Sequence, residues 1–388
     1  MNTGVETSHA AIRHAADDLD RTTAHSAETR FTIGFDGFVD EILHVVATRR
    51  DKAHYERIKT IPEFSVRIGA AAGKSANIEL VPQQVKPGGN GPLMSMAVSG
   101  MGGRVTCVGL LGYPQPLPVF EPLAERATLI SLGNPGRTDA LEFHDGKIMI
   151  GKLDTIADVN WARLEETIGA ARLRALLFDP TAVDLVACTN WTMLTEMDEI
   201  LEHIIALAPE NSPVRFFFDL ADPAKRDPAD IARVLDQIAR LNTRARCILG
   251  LNLREAEQVI EILGLGALPV ETAASVEDAS QRISAALKLH GVVVHAVKCA
   301  GAVIRREDGS LDSAGIDGPY CPNPRLSTGA GDHFNGGFVS GVMSGLDARA
   351  ALYSGVATSG WYVRNARSPR REDVIGLLRE WAAGRLAD

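Results

Sequence analysis

Leu326-Ser327-Thr328-Gly329-Ala330-Gly331-Asp332-His333-Phe334-Asn335-Gly336-Gly337-Phe338 decides how the chain is read. The small residues Gly329, Ala330 and Gly331 stand directly before a helix expected to begin near Asp332. Small residues let a ligand come close to the backbone. Free N–H groups at a helix N-terminus make an anion site. Asp332, taken alone, has two readings. It is a cap that stabilises the helix end, or a carboxylate beside an anion cradle that takes a proton from an attacking hydroxyl in phosphoryl transfer. The later glycines, Gly336, Gly337 and Gly341, imply close packing of this helix on a sheet.

Outward from this stretch the chain alternates apolar runs with amphipathic ones. Strands are expected at 31–35, 104–111, 175–178, 185–189, 214–220, 246–251 and 292–298. Helices are expected at 8–24, 50–66, 91–101, 160–173, 193–207, 229–241, 253–263 and 276–289, and after the motif at 332–344, 348–364 and 371–383. Continuous Val/Ile/Leu/Phe runs between such helices predict an α/β fold with a mostly parallel sheet covered on both faces. Residues 67–87 read as irregular or stranded, and 139–151 as a hairpin turning at Asp145-Gly146. The 388 residues would allow two or three domains at roughly 150 residues each. No Pro- or Ser-rich linker divides them, so one domain over 1–388 is expected, with 38–87 and 137–152 as a small β lid.

Lys and Arg total 40 against 49 Asp and Glu, a net charge of −9. That argues against a nucleic-acid or anionic-membrane partner, since both require a cationic footprint. The N-terminal stretch lacks the apolar core of a secretory signal, and no uncharged run is long enough to span a bilayer. Cys107, Cys188, Cys247, Cys299 and Cys321 form no CxxC pair, which predicts buried, unpaired thiols in a reducing compartment. A cytoplasmic location is expected.

Four further motifs carry chemistry or its imitation. Gly69-Ala70-Ala71-Ala72-Gly73-Lys74-Ser75 fails as a P-loop, because Ile68 stands where the first glycine belongs. Asn252-Leu253-Arg254-Glu255 follows a strand, where ligands of open α/β sheets bind. Glu255 there either completes a capping box or holds a hydrated Mg²⁺. Lys86-Pro87-Gly88-Gly89-Asn90-Gly91 is a turn or a substrate-approach loop, and Asp36 and Asp40 are surface acids or acceptors for polyol hydroxyls. In Asp219-Leu220-Ala221-Asp222-Pro223-Ala224-Lys225-Arg226 the basic pair faces either phosphates or solvent, and His333 is read as structural.

Taken together, Gly88-Gly89 before a helix, Met101-Gly102-Gly103-Arg104-Val105-Thr106-Cys107-Val108-Gly109, Asn252-x-x-Glu255 and the 328–338 motif resemble the signatures of the ribokinase-like (PfkB) sugar kinases, in order, from about residue 31 to 369. The resemblance implies a three-layer αβα sandwich with a small β lid, ATP as donor and Mg²⁺ as helper. It implies a sugar or polyol acceptor and a homodimer through the lid. It makes Asp332 the base and the amides of Gly329, Ala330 and Gly331 the anion hole. Asp36, Asp40, Gly88, Gly89 and Asn90 would meet the sugar. Asn252, Thr328, Lys298 and Gly301 would serve the nucleotide, Glu255 the magnesium through water, and 353–358 the adenine.

The chain departs from the family pattern at Leu93, where an Asn is usual, and at Val297-Lys298-Cys299-Ala300-Gly301, which lacks its first glycine. Leu326 replaces an acidic residue that in many relatives helps bind K⁺, which implies a weak K⁺ response. A nucleoside kinase of the same family and a non-catalytic sugar-binding or regulatory protein are the rival readings. The intact 328–338 and Asn252/Glu255 motifs argue against the second.

Overall fold

The computed structural model describes residues 3–268 and 270–386. Numbered along the chain, its strands are β1 (Arg30–Gly34), β2 (Phe38–Arg49), β3 (Tyr55–Arg57), β4 (Leu80–Gly88), β5 (Arg104–Gly109), β6 (Ala127–Ser131), β7 (Gly136–Phe143), β8 (Gly146–Lys152), β9 (Leu185–Cys188), β10 (Arg215–Asp219), β11 (Arg246–Asn252), β12 (Gly291–His295), β13 (Cys299–Arg305) and β14 (Leu311–Asp317). Nine form one sheet in the order β14-β13-β12-β11-β10-β9-β1-β5-β6. Every pairing from β6 to β12 is parallel; β13 and β14 close one edge antiparallel.

Strands such as β9 (LVAC) and β12 (GVVVH) are almost wholly buried, as a sheet covered on both faces requires. One face packs under Leu164, Ile200, Val234, Val259 and Ile283. The other packs under Leu19, Met94, Phe338, Leu352 and Leu378. Chain order reverses beside β1, which has β5 on one side and β9 on the other. Open α/β sheets bind ligands at such a point, at the carboxyl ends of the strands. Asp36, Asn190, Asp219, Asn252 and His295 all lie at those ends.

A second sheet, β3-β2-β7-β8 with β4 on β2, stands at the same end. The helix Ile61–Gly69 covers part of it through Phe64, whose ring lies 5.4 Å from that of Phe143. This sheet is built from the two segments expected to form the lid.

Several local expectations are corrected. Residues 175–178 are the end of the helix Ala170–Phe178, not a strand, and Gly169, at φ 84°, separates that helix from Trp161–Ile168. A short apolar run does not distinguish a buried helix face from a strand. The expected helix at 50–66 is instead β3 followed by Ile61–Gly69, which Thr60 and Glu63 start with a capping box. The 67–87 region is therefore helical to Gly69 before it becomes β4. The motif helix begins at Ala330, because Gly329 (φ 91°) supplies the left-handed turn before it. Gly336 and Gly337 face neighbouring helices rather than the sheet. A Cβ on Gly336 would meet the Ala97 Cβ at 2.6 Å, and one on Gly337 the Ser354 carbonyl oxygen at 2.7 Å. The 69–75 segment lies on the surface, and no atom lies within 4 Å of a Cβ built at Gly73.

Candidate active site

Asp332 sits in the first turn of Ala330–Met343 and is buried. Its Oδ1 has no hydrogen-bond partner. Burial first, then Asp219 and Asp36, push its carboxyl well above the usual range, while the Asn90 side chain pulls it back. The loop before it is braced. The Tyr362 hydroxyl donates to the Thr328 carbonyl at 2.8 Å. His333 Nδ1 lies 2.7 Å from the Gly329 carbonyl, to which it donates, and Nε2 lies 2.7 Å from Ser368 Oγ. The His333 ring stacks on Tyr362 at 3.7 Å, which bears out its structural reading. Leu93, the departure from the family pattern, touches the same loop: a Cβ on Gly329 would meet Leu93 Cδ1 at 2.8 Å.

Behind Asp332 lies a residue whose weight the sequence did not reveal. Asp219, at the end of β10, accepts from the Asn335 side chain at 2.8 Å and from the Ala221 N–H at 2.9 Å. Burial, Glu255 and Asp36 all raise its carboxyl. Glu255 forms the capping box with Asn252: its Oε2 accepts from the Asn252 N–H, its Oε1 from the Asp222 N–H, both at 2.8 Å. The basic pair nearby serves other ends. Lys225 pairs with Asp222 at 3.3 Å, and Arg226 binds the carbonyls of Trp191, Thr192 and Leu194. Among the described residues no three His, Cys, Asp or Glu side chains could ligate a metal directly. A line of buried carboxylates, Glu255 raising Asp219 and Asp219 raising Asp332, fits a cation held through its own waters, the habit of Mg²⁺.

On the second-sheet side, Asp36 is fully buried and its oxygens are taken by three donors: the N–H groups of Asn90 (2.8 Å) and Gly91 (2.7 Å) and the Asn190 side chain (2.7 Å). It anchors the helix Asn90–Gly100, with two donors on Oδ2 and one on Oδ1. The glycines make that anchor fit. A Cβ on Gly91 would lie 2.9 Å from Asp36 Oδ1, and one on Gly88 2.6 Å from Asp40 Oδ1. Asp40 is buried, raised by that burial and lowered by Lys86 and the Thr138 hydroxyl.

On the opposite side a cleft of about 630 Å³ runs along the N-terminus of Ala330–Met343. Asn252, Ser327, Ala330 and Gly331 line it, with Val297, Pro319, Val356 and Val363 as apolar walls. Other expected nucleotide residues lie elsewhere. Gly301 is inside β13, where a Cβ would lie 2.3 Å from the Glu277 N, so it serves sheet–helix packing. Lys298 is exposed, its ammonium 5.0 Å from the centre of the Tyr320 ring. Thr328 contributes its carbonyl to Tyr362. Of 353–358 only Val356 lines the cleft, because Ser354 and Thr358 face Gly337. His295, unremarked in the sequence, does line it and packs on Phe334 at 4.6 Å.

A base candidate thus lies beside a cleft at the reversal point of a parallel sheet. A family model described as prokaryotic ketohexokinase matches residues 5–381. The chain belongs to the prokaryotic ketohexokinase family. It is a carbohydrate kinase, a phosphotransferase with an alcohol acceptor, and its family implies the use of ATP. A ketohexokinase of Haloferax volcanii is 29% identical over 365 residues, 92% of each chain. In fold, this ketohexokinase-family chain is similar to a phosphofructokinase-2 variant from Escherichia coli (TM-score 0.62, 14% identity, 92% of this chain and 99% of that one). It is also similar to a ribokinase from Thermotoga maritima (TM-score 0.54, 17% identity, 90% and 98%). The ribokinase-like fold expected from the motifs is thus borne out, and a small-molecule sugar is the substrate class. No helix among the described residues is long and apolar enough to cross a membrane.

Proposed function

We propose that this kinase transfers the γ-phosphate of ATP to a hydroxyl of a ketohexose, with Asp332 as the base. The observation that carries the reading is the free Oδ1 of Asp332, buried between the cleft and the second sheet. The acceptor hydroxyl gives its proton to that oxygen. Its own oxygen bonds to the γ-phosphorus as the bond to the bridging oxygen breaks, and ADP leaves. The amides of Gly329 and Gly331, at a helix N-terminus, stabilise the charge on the transferring group, and the Ala330 N–H, which donates to the Ser327 carbonyl at 3.1 Å, joins them once the phosphate displaces that bond. The raised pKa of Asp332 suits a proton acceptor, because a stronger base takes the proton more readily.

Asp219, Glu255 and Asn252 would hold hydrated Mg²⁺, which neutralises phosphate charge when bound. Asp36 and Asn90 position the acceptor side, and Asn252 with the apolar walls takes the nucleotide. The second sheet is the lid of the reading, excluding water when it closes. The same sheet is the proposed dimer surface: Val85 and Ile150, 51% and 47% exposed, share one outward row. The ketohexokinase of Haloferax volcanii supports the ketohexose, the family supports ATP, and the free Oδ1 of Asp332 supports its role as base. The test is ADP release from ATP and Mg²⁺ with a panel of ketohexoses, aldoses and nucleosides. Turnover fastest with a nucleoside would refute the acceptor.

A further inference from the structure

The chemistry above leaves Lys86 unexplained. It lies near the end of β4, 8% exposed. Its Nζ makes no hydrogen bond, and the Asp40 Oδ2 is 3.9 Å away, beyond hydrogen-bond reach. A buried ammonium without hydrogen bonds is strongly unfavourable. Such a group persists where something else satisfies it.

The strand register shows where it faces. Asp40 of β2 stands opposite Lys86 of β4 and opposite Thr138 of β7. Directly opposed residues of paired strands share a face. Lys86, Asp40 and Thr138 therefore form one row. The row faces the N-terminus of Ala330–Met343, since Lys86 is close enough for its charge to act with that of Asp332 and on His333, and Asp40 on Tyr362. The adjacent row, Val85, Glu41, Asp139 and Ile150, looks the other way.

Two unsatisfied buried atoms thus lie near enough to act on each other's charge. Asp332 Oδ1 accepts and has no donor; Lys86 Nζ donates and has no acceptor. A polyol supplies both partners in one molecule, a hydroxyl for Asp332 and a second oxygen for Lys86. Two lysines, Lys86 and Lys147 of β8 on the same face, stand there against the carboxylates of Asp40, Asp332 and Asp36, so the charge is not net cationic. A phosphate or carboxylate on the acceptor would meet repulsion there.

We propose that Lys86 is a substrate-binding residue that donates to an acceptor oxygen other than the one phosphorylated, and that its pairing with Asp40 restricts the site to uncharged sugars. This rests on the sugar-kinase reading and adds to it the residues that recognise the acceptor and exclude charged ones.

The experiment compares wild type, Lys86→Met, Lys86→Arg and the double variant Asp40→Asn/Lys86→Met on D-fructose, D-fructose 6-phosphate and D-gluconate. Lys86→Met should raise KM for fructose about 10- to 100-fold, the range for a lost bond from a charged donor. ATP affinity measured by calorimetry should stay unchanged, and Lys86→Arg should recover part of the loss. Thermal unfolding checks that each variant folds. The double variant leaves no lone charge in the row, so it should regain stability while KM stays high. Recovery of KM together with stability would mean that Lys86 only neutralises Asp40, and would overturn the proposal. A wild-type KM in Lys86→Met would overturn it too, with the sugar-kinase reading intact. If wild type ignores fructose but phosphorylates another neutral sugar, the ketohexose reading falls and the variants are assayed on that sugar, with the same outcomes deciding. Preference for either charged compound overturns the restriction to uncharged sugars.

Discussion

Replacing Gly336 with alanine would put a Cβ 2.6 Å from the Ala97 Cβ, with the Met94 carbonyl oxygen at 3.2 Å. Carbon atoms in contact rest about 3.5–4.0 Å apart. Neither methyl has a rotamer to escape into, so the helices Ala330–Met343 and Asn90–Gly100 must part by about 1 Å. Overpacking costs about 1–3 kcal/mol, and alanine for glycine inside a helix returns about 1 kcal/mol. The net loss of stability is therefore about 0–2 kcal/mol. The effect on turnover is larger. Asn90–Gly100 carries in its first turn the amides that hold Asp36 and the side chain that acts on Asp332. A misplacement of about 1 Å costs about 10²-fold in rate. Steady-state kcat/KM for the sugar, from a coupled ADP assay, should fall by roughly that factor in a protein that still unfolds cooperatively. Adding Ala97→Gly removes the opposing methyl and should restore most of the rate, because the two substitutions act on one contact. Wild-type kinetics in Gly336→Ala, or no recovery in the pair, would refute the reasoning.

Asp332→Asn keeps the shape and removes the base, so kcat should fall at least about 10²-fold with ATP binding unchanged; turnover near wild type would remove Asp332 from that role. Asp219→Asn should raise the Mg²⁺ concentration for half-maximal turnover more than it changes KM for sugar. Overlaying titrations would leave Asp219 as a partner for Asn335 alone. Burial holds His290, His295 and His333 down to about 4 from an ordinary 6.5. The unfolded chain then binds protons that the folded one refuses, so stability present above pH 6.5 is lost as pH falls toward 4. For fully buried His333 the loss reaches up to about 3 kcal/mol. Urea midpoints from pH 7 to 4.5 should show that slope, and His333→Gln should flatten part of it. With Leu326 where a carboxylate would help hold K⁺, turnover in tetramethylammonium buffer should change less than about tenfold when K⁺ is added, a span of about 1.4 kcal/mol.

The parallel sheet was legible because a strand buried on both faces writes a continuous apolar run, as in 246–251 and 292–298. The 170–178 helix was not, since Leu176-Leu177-Phe178 reads the same in a helix or a strand. In the site, the 329–332 motif and the Asn252/Glu255 box announce themselves by local spacing. Asp219, His295 and Lys86 do not. Each matters only through partners far along the chain (Asn335 for Asp219, Phe334 for His295, Asp40 for Lys86), and that pairing is a property of topology. Gly301 misled for the opposite reason: a glycine after a strand suggests an open loop, but here it makes room for a helix.

The glycines of Ala330–Met343 have a consequence beyond packing. Gly336 locks it against Asn90–Gly100, while Gly337 and Gly341 lock it against Ala348–Asn365, where a Cβ on Gly341 would lie 2.9 Å from the Ala351 Cα. Gly355 returns the contact from the other side, with a Cβ there 2.9 Å from the Phe334 ring. Three helices thus meet nearly backbone to backbone, and none can tilt without opening a gap or a clash on two fronts. They make a fixed anvil, carrying Asp332, the Asn90 side chain and one wall of the nucleotide cleft as a single piece. A descendant of this chain that came to accept a bulkier or differently shaped sugar would have to do so by rewriting the strands that face the anvil, Phe38–Arg49, Leu80–Gly88 and Gly136–Phe143. The helices would stay as they are.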